Sequence, residues 1–199
     1  VLAPGLPSGL GNGRVKPFES FAREVLDLIT GSQHPGERSP AETVMHMTAF
    51  PEKWEEEPIL SVPYRPLREA LGFSTDTTHI SYQGLFRAGF MKRLPPIAEK
   101  ETRNEKLTML ESETMDLYFR FTTLHALFGG DLRLVPSSGR KDAIWFPLTQ
   151  LSELRAEDRK EIQSAWQAWL SAYREGNGEK EIAALTHFVK TLEALHPSA

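Results

Sequence analysis

Residues 104–128 read NEKLTMLESETMDLYFRFTTLHALF, and this stretch decides the fold that the sequence predicts. Its apolar and small residues recur at alternating steps of three and four, which places them on one face of an α-helix. Gly129-Gly130 then ends the pattern. Three heptads without a strong charge pattern on their flanks favour a core helix of a bundle, and a dimeric coiled coil is the alternative. The residues on this face are Leu107, Leu110, Thr114, Leu117, Phe121, Leu124 and Phe128.

Two amphipathic helices are predicted before this stretch. Pro17 suits the first position of a helix, and apolar residues at helical spacing follow it as far as a stop at Gly31. Ser39 and Glu42 form the sequence pattern of a capping box, which predicts a second helix that ends before Pro51. The apolar positions are Phe18, Phe21, Ala22, Val25 and Ile29 in the first helix and Val44, Met47 and Phe50 in the second.

The segments on either side of the long helix are predicted to be short. Six prolines between residues 51 and 96 predict an irregular region, with an extended segment at 59–62 and short helices at 66–70 and 81–88. After the long helix, residues 132–146 predict a small hairpin or two extended segments.

The last quarter of the chain predicts an αα-hairpin, in which Gly176-Asn177-Gly178 turns the chain between two helical patterns. The predicted fold is therefore mainly α: an irregular helical bundle with a long central helix, a C-terminal αα-hairpin and minor β structure. The faces of the αα-hairpin are lined by Ile162, Trp166, Trp169 and Tyr173 in the first helix and by Ile182, Leu185, Val189 and Leu192 in the returning helix.

The bulk composition predicts a single soluble domain. At 199 residues the chain can bury a sizeable core, and its net charge of -4 without a basic cluster argues against binding to nucleic acid or to a membrane surface. The zero cysteine count excludes disulfides, thiol chemistry and Cys-based zinc sites. We expect a Gly/Pro-rich flexible lead-in at 1–13 and one helical domain at 14–199, excised from a larger membrane protein.

No sequence motif identifies a catalytic or metal site. No two histidines stand four residues apart, and the HExxH, GxSxG and P-loop patterns do not occur. Histidine and methionine are the usual haem ligands, but each histidine here is explained more simply as a core-edge or exposed residue. The acidic run Glu55-Glu56-Glu57 is interpreted as a solvated face rather than as an acid/base pair. The six histidines are His34, His46, His79, His125, His187 and His196.

Three ordered stretches of the sequence resemble a known family. Residues 13–24, GRVKPFESFARE, continue to a helix stop at Gly31 and resemble the opening motif of the cytochrome c biogenesis family called CcsBA, or ResB–CcsA. Residues 50–59 look like the proline–tryptophan segment of that family. The long helix, followed by LRLVP at 132–136 and WFPL at 145–148, is similar to its pattern of helix, strand and aromatic–proline segment. One departure is that Phe146 and Pro147 are adjacent, without a small residue between them.

The resemblance, which covers residues 13–195, implies a location and partners. It implies a segment on the extracytoplasmic, periplasmic face of the cytoplasmic membrane, within a protein that moves haem outward and joins it to apocytochrome c. It implies partners in the membrane-embedded parts of the same protein, with apocytochrome c as a further candidate and no nucleic acid. The tryptophan-rich haem-handling segment of the family has no counterpart here. We therefore expect no cofactor in this domain and haem handled by the parent protein.

The residues that the resemblance singles out are predicted to be a partner-binding or structural motif, and none is predicted to be catalytic, cofactor-binding or metal-binding. Arg14 and Lys16 have two interpretations. They stabilise the turn into the first helix, or they dock a partner chain or the carboxylates of haem propionates. The full set is Gly13, Arg14, Lys16, Pro17, Trp54 and Trp145.

The expected function is that of a non-catalytic assembly module that supports haem delivery and attachment, in a parent protein that is a cytochrome c synthase. An anchored scaffold or sensor domain unrelated to haem is one alternative. A small hydrolase or lyase that uses acidic residues in a helical cleft is another.

Overall fold

The computed structural model describes residues 18–131, 133–136, 145–148, 151–152 and 154–194, with the backbone alone at 133–136 and 145–147. The lead-in predicted at 1–13 lies outside these residues. The chain divides into two compact units, Arg23–Ala126 and a second unit that combines Val1–Ala22 with Leu127–Ala199. The single domain predicted over 14–199 stays a prediction.

The described residues are mainly helical with minor antiparallel β structure, which confirms the predicted fold class. None of the helices in this part of the chain is both long and apolar enough to cross a membrane. The helices are α1 Phe18–Thr30, α2 Pro40–Ala49, α3 Arg65–Ala70, α4 Tyr82–Arg87, α5 Leu94–Thr102, α6 Met109–Phe128, α7 Ala156–Glu175 and α8 Gly178–Ala194. The strands are β1 Leu60–Ser61, β2 His79–Ile80, β3 Arg133–Pro136 and β4 Trp145–Pro147, and 3₁₀ turns lie at Pro51–Lys53 and Phe90–Arg93.

Local signals set the ends of α1 and α2 as predicted. Ser39 Oγ accepts from the Glu42 N–H at 3.3 Å, and the Glu42 carboxylate accepts from the Ser39 N–H at 2.9 Å, so the capping box of α2 is formed in both directions. Gly31 ends α1 in the left-handed region, with φ of 73°. Val44 and Met47 of α2 are buried as expected, while Phe50 is half-buried.

Helix α6 begins at Met109 and not at residue 104, so the predicted start of the long helix is wrong. Thr108 begins it with a second capping box, in which the Thr108 N–H donates to Glu111 Oε2 at 2.8 Å and Thr108 Oγ1 accepts from the Glu111 N–H at 3.3 Å. Residues 103–108 connect it to α5, which was not predicted, and Asn104 turns the chain with φ of 54°. Lys100 Nζ lies 2.6 Å from Glu111 Oε1, and this contact and the Thr108 N–H lower the pKa of the Glu111 carboxyl to about 2.

The face predicted for α6 is buried over the middle of the helix. Because one chain buries this face by itself, α6 is a core helix, as the bundle interpretation requires. Thr114, Leu117, Phe121 and Leu124 are buried, Leu110 and Phe128 are half-buried, and Leu107 precedes the helix.

In the unit Arg23–Ala126, one buried arginine joins α3 to both strands of the small sheet. Arg68 is 6% exposed, and its Nη1 donates to the carbonyls of Val62 and Pro63, each at 2.7 Å. Its Nη2 donates to the Thr75 carbonyl at 2.6 Å. Val62 follows β1 and Thr75 precedes β2, so a single guanidinium holds the two ends of the β1–β2 connection. The burial of its charge is offset by hydrogen bonds to carbonyl dipoles instead of a carboxylate.

Replacing Arg68 with Met should lower the free energy of unfolding by about 3 kcal/mol, because three carbonyls lose a charged donor. Urea denaturation of the purified chain measures the change. Arg65→Ala is the matched control: Arg65 pairs with Glu69 at the surface, and its loss should cost no more than about 0.5 kcal/mol. Equal costs for the two variants would contradict this role for Arg68.

The second unit contains both predicted hairpins. Strands β3 and β4 pair antiparallel, with Val135 opposite Phe146 and an irregularity between Arg133 and Val135. Helices α7 and α8 form the αα-hairpin, and Gly176 ends α7 with φ of 68°. Of the face predicted for α7, Ile162, Trp166 and Trp169 are buried and Tyr173 is half-buried.

The face predicted for α8 is largely wrong. Ile182, Leu185 and Val189 are exposed, and of the predicted positions Leu192 is buried. Phe188 is buried in their place, with its ring 5.3 Å from that of Trp166. Helix α8 carries apolar residues on two adjacent faces, and the face with the aromatic ring offers more apolar surface to the tryptophans of α7.

Candidate functional site

A cleft of about 440 Å³ opens in the unit Arg23–Ala126 and is the candidate site. Its walls are the residues that follow α3, the strand β2 and the helix α4, and Glu56 and Pro58 complete the lining. A cleft of this size is within the range of ligand pockets in proteins. Its lining residues are Glu56, Pro58, Leu71, Gly72, Phe73, Thr77, His79, Ile80, Ser81, Gly84, Arg87 and Ala88.

The junction between β2 and α4 shapes one side of the cleft. Ser81 Oγ accepts from the Gly84 N–H at 3.0 Å and so caps α4 directly after the strand. A Cβ on Gly84 would lie 2.8 Å from Ser81 Oγ and 3.3 Å from Ile80 Cγ2. Glycine is therefore required here by close approach and not by a left-handed backbone.

The polar side chains of the cleft are already used for structure. His79 Nε2 lies 2.9 Å from the Thr30 carbonyl, and its Nδ1 lies 3.1 Å from Thr78 Oγ1. Arg87 forms a bidentate pair with Glu56 at 2.8 and 2.6 Å. The hydrogen bond from Arg87 lowers the pKa of the Glu56 carboxyl and keeps it charged.

An aromatic stack anchors α4 to α6. The rings of Tyr82 and Phe121 are 4.7 Å apart and nearly parallel, and the Tyr82 hydroxyl lies 2.7 Å from His125 Nδ1. Burial, followed by the charge of Glu55, raises the pKa of the Tyr82 phenol. Phe86 packs edge-on against Tyr82 at 5.2 Å and is 47% exposed. The stack holds α4 in place, and α4 contains two lining residues of the cleft, Gly84 and Arg87.

Trp54, one of the predicted site residues, belongs to a separate cluster. Its Nε1–H donates to His46 Nδ1 at 2.8 Å, and the His46 ring lies 4.8 Å from that of Phe50. An indole nitrogen only donates, so His46 Nδ1 must be unprotonated and the neutral ring carries its proton on Nε2. Burial, then the charges of Arg38 and Lys53, lowers the pKa of His46, in agreement with a neutral ring.

Of the predicted site residues, Trp54 is the one whose side chain the structure describes, so the predicted motif stays a prediction. Gly13, Arg14, Lys16 and Pro17 lie outside the described residues, and of Trp145 only the backbone is described. Among the histidines, His34, His125 and His187 are exposed, while His196 lies outside the described part. Glu56 and Glu57 are exposed, as the solvated-face interpretation expects, and Glu55 is half-buried.

The cleft was missed because its walls are distant in sequence. Residues 56–58, 71–73 and 77–88 meet there, and none of these segments contains a known ligand motif. One local signal was available: Ser81 three residues before Gly84 marks a capped helix start directly after a strand.

No family model matches the sequence, and no curated protein matches it. Within the described residues, no three histidine, aspartate or glutamate side chains form a group that could hold a metal ion.

Titration of His46 should make the stability of the chain depend on pH. The pKa of His46 is lower in the folded chain than the ordinary histidine value of 6.5, so the unfolded chain binds the proton first as pH falls. The neutral ring therefore contributes stability that is fully present above about pH 6.5 and is lost as pH falls below it. Protonation also removes the hydrogen bond from Trp54, which is worth about 1 kcal/mol.

Urea denaturation at pH 7.5 and at pH 5 tests this. Wild type should lose more stability between the two pH values than His46→Gln loses. His34→Gln is the control, because His34 is exposed and its pH response should follow that of wild type. Identical pH responses of wild type and His46→Gln would contradict the assignment.

Proposed function

We propose that the chain is an extracytoplasmic assembly module of a membrane-embedded cytochrome c biogenesis protein of the CcsBA, or ResB–CcsA, type. The observation that carries this proposal is the order of three sequence stretches, at 13–31, 50–59 and 105–148, which resemble that family in the same sequence along the chain. Each stretch alone is a weak signal, and their common order carries the weight.

The positions of the secondary-structure elements support the proposal. The proline–tryptophan stretch contains the 3₁₀ turn Pro51–Lys53 and leads into β1. The third stretch contains α6, β3 and β4 in that order, which is the order of helix, strand and aromatic–proline segment in the family pattern. The described part of the first stretch is α1 up to its stop at Gly31.

In this role the module is a binding part and the chemistry belongs to the rest of the parent protein. It supports haem delivery and attachment at the periplasmic face of the membrane. Its partners are the membrane-embedded parts of the same protein, with apocytochrome c as a further candidate. The engagement of Glu56, His79 and Arg87 in structural contacts supports a non-catalytic role for the cleft.

The two half-buried histidines His46 and His79 are poor haem ligands in their present contacts. His46 Nδ1 accepts from Trp54, which leaves the proton on Nε2 of the neutral ring. Both nitrogens of His79 have hydrogen-bond partners. Ligation through either ring would require these contacts to break, which supports leaving haem to other parts of the parent protein.

The sequence of the parent gene on both sides of this segment tests the family. Several membrane spans and a tryptophan-rich haem-handling segment downstream are expected. A parent without membrane spans would overturn the proposal.

Haemin titration tests whether haem is bound by this chain or by other parts of the parent protein. Added to the isolated chain, haemin should give no sharp, stoichiometric shift of the Soret band. The His46→Ala and His125→Ala variants should behave like wild type. A tight one-to-one shift in wild type that either variant abolishes would show that this chain itself ligates haem.

A further inference from the structure

The hydrogen-bond pattern of the β1–β2 pair leaves one edge of β2 open. Leu60 lies opposite Ile80, Ser61 lies opposite His79, and the Val62 N–H donates to the Thr78 carbonyl at 2.8 Å. In an antiparallel pair, residues that exchange main-chain hydrogen bonds alternate with residues that do not. Ser61 and His79 are therefore the pair whose N–H and carbonyl groups point away from the partner strand.

The outward edges of β1 and β2 differ in whether their main-chain polar groups have hydrogen-bond partners. On the β1 edge, the Ser61 carbonyl accepts from Arg120 Nη1 at 3.2 Å. On the β2 edge, neither the N–H nor the carbonyl of His79 has a hydrogen-bond partner within the described part of the chain. Ser81, two residues on, is also extended, with φ of −78° and ψ of 155°, and its N–H has no partner there either.

This open edge borders the cleft. Thr77, His79, Ile80 and Ser81 line one side of it. The residues Leu71–Phe73, the helix α4, Glu56 and Pro58 line the rest. The walls offer apolar contacts, notably from Leu71 and Phe73. The charged lining residues Glu56 and Arg87 neutralise each other. A ligand of this cleft is thus recognised by its main chain and apolar side chains, not by net charge.

We propose that the cleft binds an extended segment of a separate, unfolded polypeptide, which adds to the outer edge of β2 as a third strand. The main chain of that segment accepts from the N–H groups of His79 and Ser81 and donates to the His79 carbonyl. Its apolar side chains lie against Leu71 and Phe73. Binding of this kind tolerates many sequences, because its polar contacts are made with the peptide backbone. The inference uses only the geometry of this unit and goes beyond the proposed function, so either can fail without the other.

The test is an NMR titration of the whole ¹⁵N-labelled chain with the end-blocked peptide Val-Lys-Val-Glu-Val-Lys-Val-Glu. The His79 and Ser81 amide signals should shift, and their hydrogen exchange should slow by about tenfold at saturation. The same peptide with every backbone amide N-methylated should cause no shift. The absence of binding by the unmodified peptide, or shifts confined to residues outside the cleft, would overturn the inference.

Two variants of His79 distinguish the contribution of its main chain to peptide binding from that of its side chain. His79→Pro removes the edge N–H and the imidazole, whereas His79→Val removes the imidazole alone. Proline should weaken binding by about tenfold or more, and valine by no more than about threefold. Equal weakening by both would show that the imidazole, and not the strand edge, holds the peptide.

A third variant covers the case in which His79→Pro does not fold. Ala88 lines the cleft at the end of α4, and Ala88→Trp should fill it and weaken binding by about tenfold. Met91→Trp places the same side chain at an exposed residue outside the lining and is its control. Unchanged binding by Ala88→Trp would overturn the inference.

Discussion

The three hydrogen bonds from the buried guanidinium of Arg68 to main-chain carbonyls are the contacts on which the cleft depends. They join α3 to the residue after β1 and to the loop before β2, so they set where both strands of the small sheet lie. A lysine at this position would offer a single ammonium group, whereas the planar guanidinium of arginine donates to three carbonyls at once. Irregular backbone rich in proline can be ordered in this way without long strands or helices.

The hydrogen bonds of Arg68 also hold two walls of the candidate site in place. The connection that it holds runs from α3 through Leu71–Phe73 to β2, and these segments are two of the three walls of the cleft. The third wall, α4, is held independently by the stack of Tyr82, Phe121 and His125. These two anchors hold the walls of the cleft, and both are made by side chains outside the lining.

Much of the helical structure was predictable because its signals are local. The capping box at Ser39 and the stop at Gly31 placed α1 and α2 correctly, and the apolar spacing identified the buried face of α6. The start of α6 was missed because the apolar pattern was extended back to Leu107 across the capping box of Thr108 and Glu111. A local signal was present there and was outweighed by periodicity. The predicted site residues could not be tested in the same way, since most lie outside the described residues.

By itself, the sequence determined the fold class, the end of α1, the beginning of α2 and the αα-hairpin, because capping and helical spacing act over a few neighbouring residues. Only the tertiary structure decided which apolar face of α8 is buried, since Phe188 and Ile182 compete for contacts with a different helix. It also decided that Arg68 is buried and that no described residue pairs with the outer edge of β2. These features depend on contacts between segments that are distant in sequence, and no pattern within one segment predicts such contacts.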